Sequence, residues 1–411
     1  MYVLAACCSL TLSAQRKSAA SRVAERTPEQ LIQDYRFDDA ARMLQKEIAA
    51  AQRGGRSTVR LEADLARANL GADMLRGVER IIFVDSVKVK RSAVLDAMKI
   101  SPEAGKVCWL KTQVAHLDPL PKETGRTAYV NELGDRIFFA ASDSVHGAKS
   151  IWSAYKSGDR WIQAQPLDGM GGGTSDQDYP FVMPDGVTLY YAAQGSESLG
   201  GYDLFVTRYD SDSKRYLKAE NMGMPFNSPA NDYMLLIDEA ARLGWLVTDR
   251  NQGADSVCIY TFVPTDTRDV YELTEDNRKE VVQAARIHAI AQTQKDTKAV
   301  ADARKRMKHQ LDRAESSSGI PVRYVINDSK VYTNLTQFRS EAARRIAMEA
   351  MQAQARMNEL LALSDKLQKD IATGGNAQKA REELSKVNDS ISELRQHLRT
   401  LYKNMRVAEL K

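Results

Sequence analysis

The chain is short of the residues that usually carry catalysis or hold metal ions. Its 411 residues include 4 cysteines and 5 histidines. The histidines, His116, His146, His288, His309 and His397, are scattered, and Cys7 and Cys8 fall in an apolar start. That spacing excludes a zinc site of paired Cys and His and leaves no Cys–His nucleophile pair to read. His-Glu-x-x-His and Gly-x-Ser-x-Gly are both absent. Cys108 and Cys258 remain, and either one disulfide between them or two isolated thiols satisfies the sequence. No apolar run reaches the about 20 residues a membrane-spanning helix needs.

Charge of one sign is also lacking overall, with 58 basic against 54 acidic residues, but its placement is uneven. Residues 1–127 carry 21 basic and 15 acidic residues, net +6; residues 128–267 carry 10 and 19, net −9; residues 268–411 carry 27 and 20, net +7. An acidic middle between basic flanks argues against a continuous nucleic-acid surface, so no nucleic-acid partner is expected. A composition that is 43% hydrophobic suffices for a packed core, and the length allows two or three domains.

The run VLAACCSLTLSAQ ends in small residues and fits the tail of a secretory signal over residues 1–14, cleaved before Gln15. It lacks a basic leading segment, which points to a start codon further upstream. Leu4-Ala5-Ala6-Cys7 also fits a lipoprotein box with Cys7 as the lipidated residue, and membrane contact is expected only in that case. Thr27-Pro28-Glu29-Gln30 then carries the signature of a capped helix start. Residues 27–78 read as a helix pair broken near Arg36-Phe37-Asp38, a Gly54-Gly55 link and a further helix from Thr58 to Leu75. The stretch YRFDDAARMLQKEI resembles the helical hairpin of a tetratricopeptide repeat, and a plain helical bundle packed on the next domain reads as well.

Residues 80–112 begin with the strand-like IIFVDSVKV, pass through a short helical stretch near Ser92 to Lys99 and resume strand character at Val107 to Leu110. They read as an edge blade or as an entry cap on the strands beyond residue 127. From there a pattern of strand, polar link and strand recurs three times. The first copy has a turn at Gly134-Asp135, a strand through Ile137 to Ala140 and another over Ser150 to Tyr155. The central copy has the turn Met183-Pro184-Asp185-Gly186 and strands over Gly186 to Ala193 and Tyr202 to Tyr209. The third has Leu243 to Thr248 and Ser256 to Phe262. A period of roughly 40–50 residues is that of propeller blades, so residues 80–265 are expected to form a β-propeller-like domain.

The phrases DYPFVMPDGVTLYYAA, GGYDLFV and NMGMPFNSPANDYMLLIDEAARLGWLVTDRNQGADSVCIYTF resemble the WD-like β-propeller repeats of Tol-protein-B-like proteins, in the form found in Bacteroidetes cell envelopes. The resemblance spans about residues 128–265 and rests on Asp178, Pro180, Pro184, Asp185, Gly186, Gly201, Tyr202, Asp203, Asn227 and Asp232. Where that family has serine-asparagine-arginine after a strand, this chain has Thr248-Asp249-Arg250 once and Ala193-Gln194-Gly195 in the central copy. The resemblance implies an exported protein of the periplasm or outer-membrane periphery of a Gram-negative bacterium.

After Pro264 the composition changes. Residues 270–318 are charged, Ala-rich and helical by propensity; residues 320–335 read as a β-hairpin around Asn327-Asp328. In residues 340–411, Ala343, Ile346, Ala350, Ala353, Met357, Leu360, Ser364, Leu367 and Ile371 alternate at spacings of three and four, and Leu384 to Ala408 resume them after Gly374-Gly375-Asn376. That predicts an antiparallel coiled-coil hairpin, either a spacer or an element for assembly.

Gly171-Gly172-Gly173-Thr174-Ser175 lacks the lysine and following helix of a phosphate loop. Asp176, Asp178, Asp185 and Asp203 are the best candidates for a site, Asp176 and Asp178 as residues that precede a strand and project at a ligand face. The competing reading has Asp178 and Asp203 accepting backbone hydrogen bonds in turns. The expected architecture is mixed: an N-terminal helical hairpin, antiparallel propeller-like repeats and a C-terminal helical hairpin. The expected function is a non-enzymatic envelope scaffold that binds envelope proteins, needs no cofactor and has an oligomer through residues 340–411 open to it. The alternative is a propeller that binds glycan or calcium, as a lectin or carbohydrate-active enzyme.

Overall fold

The computed structural model describes residues 26–411 except 145–146, 158–159, 171–175, 266, 317–323, 328–329, 333–334, 373–376 and 411. The leader with Cys7, the Gly171-to-Ser175 run, Asp328 and the Gly374-Gly375-Asn376 turn lie outside the described residues. The chain divides into two compact units, Met1–Leu311 and Asp312–Lys411.

Three helices open the first unit: α1 (Pro28–Gln33), α2 (Phe37–Arg53) and α3 (Val59–Arg76). The Thr27 hydroxyl accepts the Gln30 amide and the Gln30 side chain accepts the Thr27 amide, so two of the amide donors that a helix start leaves unpaired are satisfied. Leu31, Ile32, Phe37, Leu44 and Leu75 are buried in one cluster, which also takes in Leu199 and Met224 from the loops of the sheets. Each such side chain contributes about 1.5–3 kcal/mol.

Three antiparallel sheets follow. The first runs in the order β2 (Lys106–Trp109), β3 (Glu123–Val130), β4 (Arg136–Ser142), β5 (Ser150–Ser157), β6 (Arg160–Pro166). The second comprises β7 (Asp176–Val182), β8 (Thr188–Gln194), β9 (Asp203–Asp210) and β10 (Arg215–Tyr216), with β11 (Glu220–Asn221) also on β9. The third comprises β12 (Asp232–Asp238), β13 (Leu243–Thr248), β14 (Ser256–Val263) and, outermost, β1 (Ile82–Lys90). The 80–112 segment is thus neither an independent blade nor a simple cap: β1 completes the third sheet by pairing with β14, Ile82 opposite Val263 through Lys90 opposite Ser256. Between β1 and β2 lies a short helix, α4 (Val94–Ala97).

Beyond residue 127, the strand pairs read from sequence are β4 with β5, β8 with β9, and β13 with β14. The strands that precede each pair in the chain, β3, β7 and β12, went unread, and each carries a register shift, between Thr124 and Ala128, Asp178 and Phe181, and Asp232 and Met234. A bulge breaks the two-residue alternation that marks a strand. In β7 the bulge holds Tyr179 at φ 58° beside Pro180, whose missing N–H is tolerated where ladder pairing lapses. β7 packs against β3, and β12 packs against β7, β8 and β9. The first sheet therefore packs on the second and the second on the third, an arrangement compatible with a propeller-like fold, and no closed ring is formed among the described residues. Their shared core includes Tyr129, Phe138, Phe181, Leu189, Leu235, Trp245 and Phe262.

The charged region expected as one helix over 270–318 is two, α5 (Arg278–Ala285) and α6 (Thr297–Ser316), with a 3₁₀ turn at Ile290–Thr293 between them. Competing burial breaks it. Val281 and Ala285 join the N-terminal helical cluster, whereas Ile287, at φ 49°, and Ala303 join the sheet core. Thr293 accepts the Phe83 amide and Gln294 donates to the Phe83 carbonyl, pinning the turn to β1.

In the second unit, β15 (Tyr324–Asn327) pairs with β16 (Lys330–Tyr332), and α7 (Glu341–Ala372) with α8 (Ala377–Leu410) makes the long helical hairpin. Ala350, Met357, Leu367, Val387, Ile391, Leu398 and Leu401 are buried along its seam. Tyr324, Ile326, Tyr332 and Phe338 pack on Ala343, Ala347 and Met405 at one end. No helix among the described residues is long and apolar enough to cross a membrane.

Candidate functional site

Asx-anchored turns join β3 to β4, β7 to β8 and β12 to β13. In the second sheet, Gly186 N–H bonds the Met183 carbonyl at 2.9 Å with Pro184 and Asp185 between, and Asp185 accepts the amides of Val187 and Thr188. In the first, Asn131 accepts the amides of Asp135 and Arg136. In the third, Asp238 accepts the Ala241 amide and also that of Ser101. Pro184 supplies the φ a turn needs at its second position, and Asx side chains mimic a backbone acceptor.

At the opposite ends of the strands the remaining motif residues are spent on backbone donors. Asp178, 2% exposed, accepts the Arg126 amide at 2.9 and 3.1 Å and that of Tyr179 at 2.8 Å. Gly125 leaves room for this contact, since a Cβ there would collide with the Asp178 carboxylate. Asp203, fully buried, accepts the amides of Leu199 and Gly200 and the Asn221 side chain. Asn227 accepts the Leu204 amide at 2.7 Å and donates to the Leu204 carbonyl at 2.9 Å, standing in for a neighbouring strand. Asp232 accepts the Ser228 amide and hydroxyl and the Arg250 guanidinium. Gly201 lies against the Asn231 side chain with no space for a Cβ.

Burial pushes the Asp178 carboxyl up to about 6. Burial and then the neighbouring Asp232 push Asp203 up to about 7. Both titrate close to neutrality, yet neither is open to a substrate. The expectation that Asp176 and Asp178 precede a strand and face a ligand does not hold: both lie within β7, and Asp178 is sealed against β3. Asp176 is partly exposed but engaged by the Lys149 ammonium at 2.7 Å, the Lys149 amide at 3.0 Å and the Tyr202 hydroxyl at 2.6 Å. Burial raises the Asp176 carboxyl, and these hydrogen bonds outweigh it, leaving it below the ordinary carboxylate value.

Tyr202 continues this network into an aromatic cluster. The Tyr179, Tyr202 and Tyr233 rings lie 5.4–6.1 Å apart between centroids. Tyr233 donates to Asp249 at 2.8 Å and is covered by the Arg91 guanidinium 4.8 Å above its ring. Asp249 also accepts from Arg91 at 2.8 Å and from the Asn231 amide and side chain at 2.8 and 2.9 Å. Sequence reasoning missed Lys149, Arg91 and Asn231 altogether. Asp249 and Arg250 had a signal, since Thr248-Asp249-Arg250 follows a strand where the resembled family keeps a polar triplet.

The arrangement fixes strands and tyrosines in place. Among the described residues no group of three or more His, Cys, Asp or Glu side chains is arranged to hold a metal ion. Cys108 and Cys258 are free thiols, each raised above its ordinary value by burial. No protein-family model, no curated protein and no solved structure matches this chain.

Proposed function

We propose that the chain is a non-enzymatic, exported cell-envelope protein akin to Tol-protein-B-like repeat proteins. In this reading its three sheets serve as a protein-binding scaffold and its C-terminal helical hairpin as an assembly element. The observation that carries the reading is the commitment of the motif acids: Asp178, Asp203 and Asp232 are each bonded to backbone amides and sealed from solvent, which makes them staples between strands rather than reactive groups. A sheet framework tied at both strand ends is a rigid platform, and rigid platforms lower the ordering cost of binding. The hairpin keeps Met348 and Met351 exposed, outside its buried seam, which supports a further surface being laid against it.

Cell fractionation and in-cell photo-crosslinking from exposed positions such as Tyr209 and Leu217 test this reading. Recovery with the envelope and crosslinks to discrete envelope proteins are expected, and a cytosolic protein that retains residues 1–14 overturns it. Calcium provides the check on the glycan- or calcium-binding alternative. A rise of several degrees in Tm with calcium, abolished by Asp176→Ala, would favour that alternative; the Asp176–Lys149 pair argues for no shift.

A further inference from the structure

We propose that the cleft between the segment following β1 and the start of the first sheet binds an acidic peptide segment of a partner protein. The inference deepens the scaffold reading and rests on it, by naming what the scaffold takes. The cleft has a volume of about 620 Å³, is open to solvent, and is lined by Arg91, Trp109, Lys111, Val114, Thr124 and Arg126 with Ser92 and Gly125. Three of these side chains are cations and none is an acid. Lys111 and Arg126 are exposed, and among the described residues neither forms an ion pair.

The walls are built to hold position. Arg91 is pinned by Asp249 and by the Tyr233 ring, so its guanidinium cannot swing away. Arg126 is fixed at its backbone, where its amide donates to Asp178 from the bulge in β3. Trp109 ends β2 opposite Thr127 and leaves its ring partly exposed as an apolar wall, with Val114 beside it. Guanidinium groups match carboxylates in a two-point fork, and an indole face takes an apolar or aromatic side chain. A ligand that offers both is a short peptide carrying acidic and apolar residues.

The segment that builds the cleft is itself basic: every lining residue comes from residues 1–127, which carry net +6. Arg91 is partly neutralised by Asp249, so Lys111 and Arg126 supply the free positive charge. A polyanion shares that attraction, but the apolar wall of Trp109 and Val114 gains only from a ligand that also carries apolar side chains, which favours an acidic peptide.

Fluorescence anisotropy on the full chain tests the assignment, with a labelled decapeptide of alternating glutamate and leucine as probe. Its lysine-for-glutamate counterpart and an oligogalacturonate serve as competitors. Saturable, salt-sensitive binding is expected, weakened at least about tenfold by Lys111→Glu with Arg126→Glu and several-fold by Trp109→Ala. The charge pair is exposed, so its Tm should match the parent's; Lys111→Arg should retain binding. Absent binding, unchanged affinity in the double variant, or a lysine peptide or galacturonate that competes as well overturns the assignment. Failure of the cleft is separable from failure of the scaffold reading: crosslinks to envelope proteins that persist in the double variant leave the scaffold standing while the cleft fails. A scaffold that yields no crosslinks while the glutamate peptide binds as described fails with the cleft intact.

Discussion

Arg250 and Asp232 form an ion pair in which neither side chain reaches water: Nη2 to Oδ1 is 2.6 Å, with 4% and 0% of the side chains exposed. Three further guanidinium hydrogens go to the carbonyls of Pro225 and Phe226 at 2.8 Å and to the Thr248 hydroxyl. One side chain thereby ties the loop before β12 to the end of β13. Burial drives the Asp232 carboxyl upward and Arg250 opposes it.

Arg250→Ala should destabilise the first unit by about 3–5 kcal/mol, because it strands a buried carboxylate and two carbonyls. Arg250→Lys should recover only part of that, since an ammonium cannot span the same acceptors. Urea midpoints measure both. A loss in Arg250→Ala near that of an ordinary surface substitution, about 0.5 kcal/mol, would show that the pair does not tie the loop.

Asp203 makes folding pH-dependent in a set direction. Its carboxyl titrates near 3.8 when unfolded and at about 7 in the fold, because burial disfavours its charge. The folded chain therefore binds the proton more tightly, and the stabilising contribution present below pH 4 is lost as pH rises towards 7. Asp203→Asn cannot titrate. The urea midpoint of the parent should fall relative to that of the variant between pH 4.5 and 7.5, and a constant difference would contradict the assignment.

Trp245, 5% exposed and opposite Leu236 and Thr261, fills the core of the third sheet. Trp245→Ala should cost about 3–5 kcal/mol by emptying that volume. Thermal or urea denaturation with a loss below about 1 kcal/mol would mean the side chain is not core.

The proposed assembly role of the helical hairpin predicts separable behaviour. Truncation after Ser316 keeps α6 and should leave the thermal transition of the remaining residues in place while self-association is lost. Analytical ultracentrifugation alongside calorimetry reads both, and unchanged self-association would remove the role.

Much of this fold was legible because its periodicities are local. The heptad spacing of Ala343 to Ile371 and Leu384 to Ala408 yields α7 and α8, Thr27-Pro28-Glu29-Gln30 marks the start of α1, and apolar runs yield β4, β5, β8, β9, β13 and β14. The bulged strands β3, β7 and β12 were hidden because Gly125, Pro180 and the buried Asp178 and Asp232 interrupt the apolar alternation. The repeat acids were visible as a set, but their roles were not: Asp176 and Asp178 stand two residues apart in β7, one held by Lys149 and the other sealed beneath Arg126.

By itself, then, the sequence determined the N-terminal and C-terminal helices, the unbulged strands, the threefold recurrence of turn and strand, and the charge of each region, because all of these depend on residues near one another in the chain. The tertiary structure alone decided that β1 closes the third sheet against β14, that the charged region splits at Ile287, and that Arg91, Trp109, Lys111 and Arg126 share a cleft. It also decided which carboxylates are sealed and shifted. Strand pairing, burial and the field at a carboxylate are set by groups brought together from distant parts of the chain, and no local pattern encodes that distance.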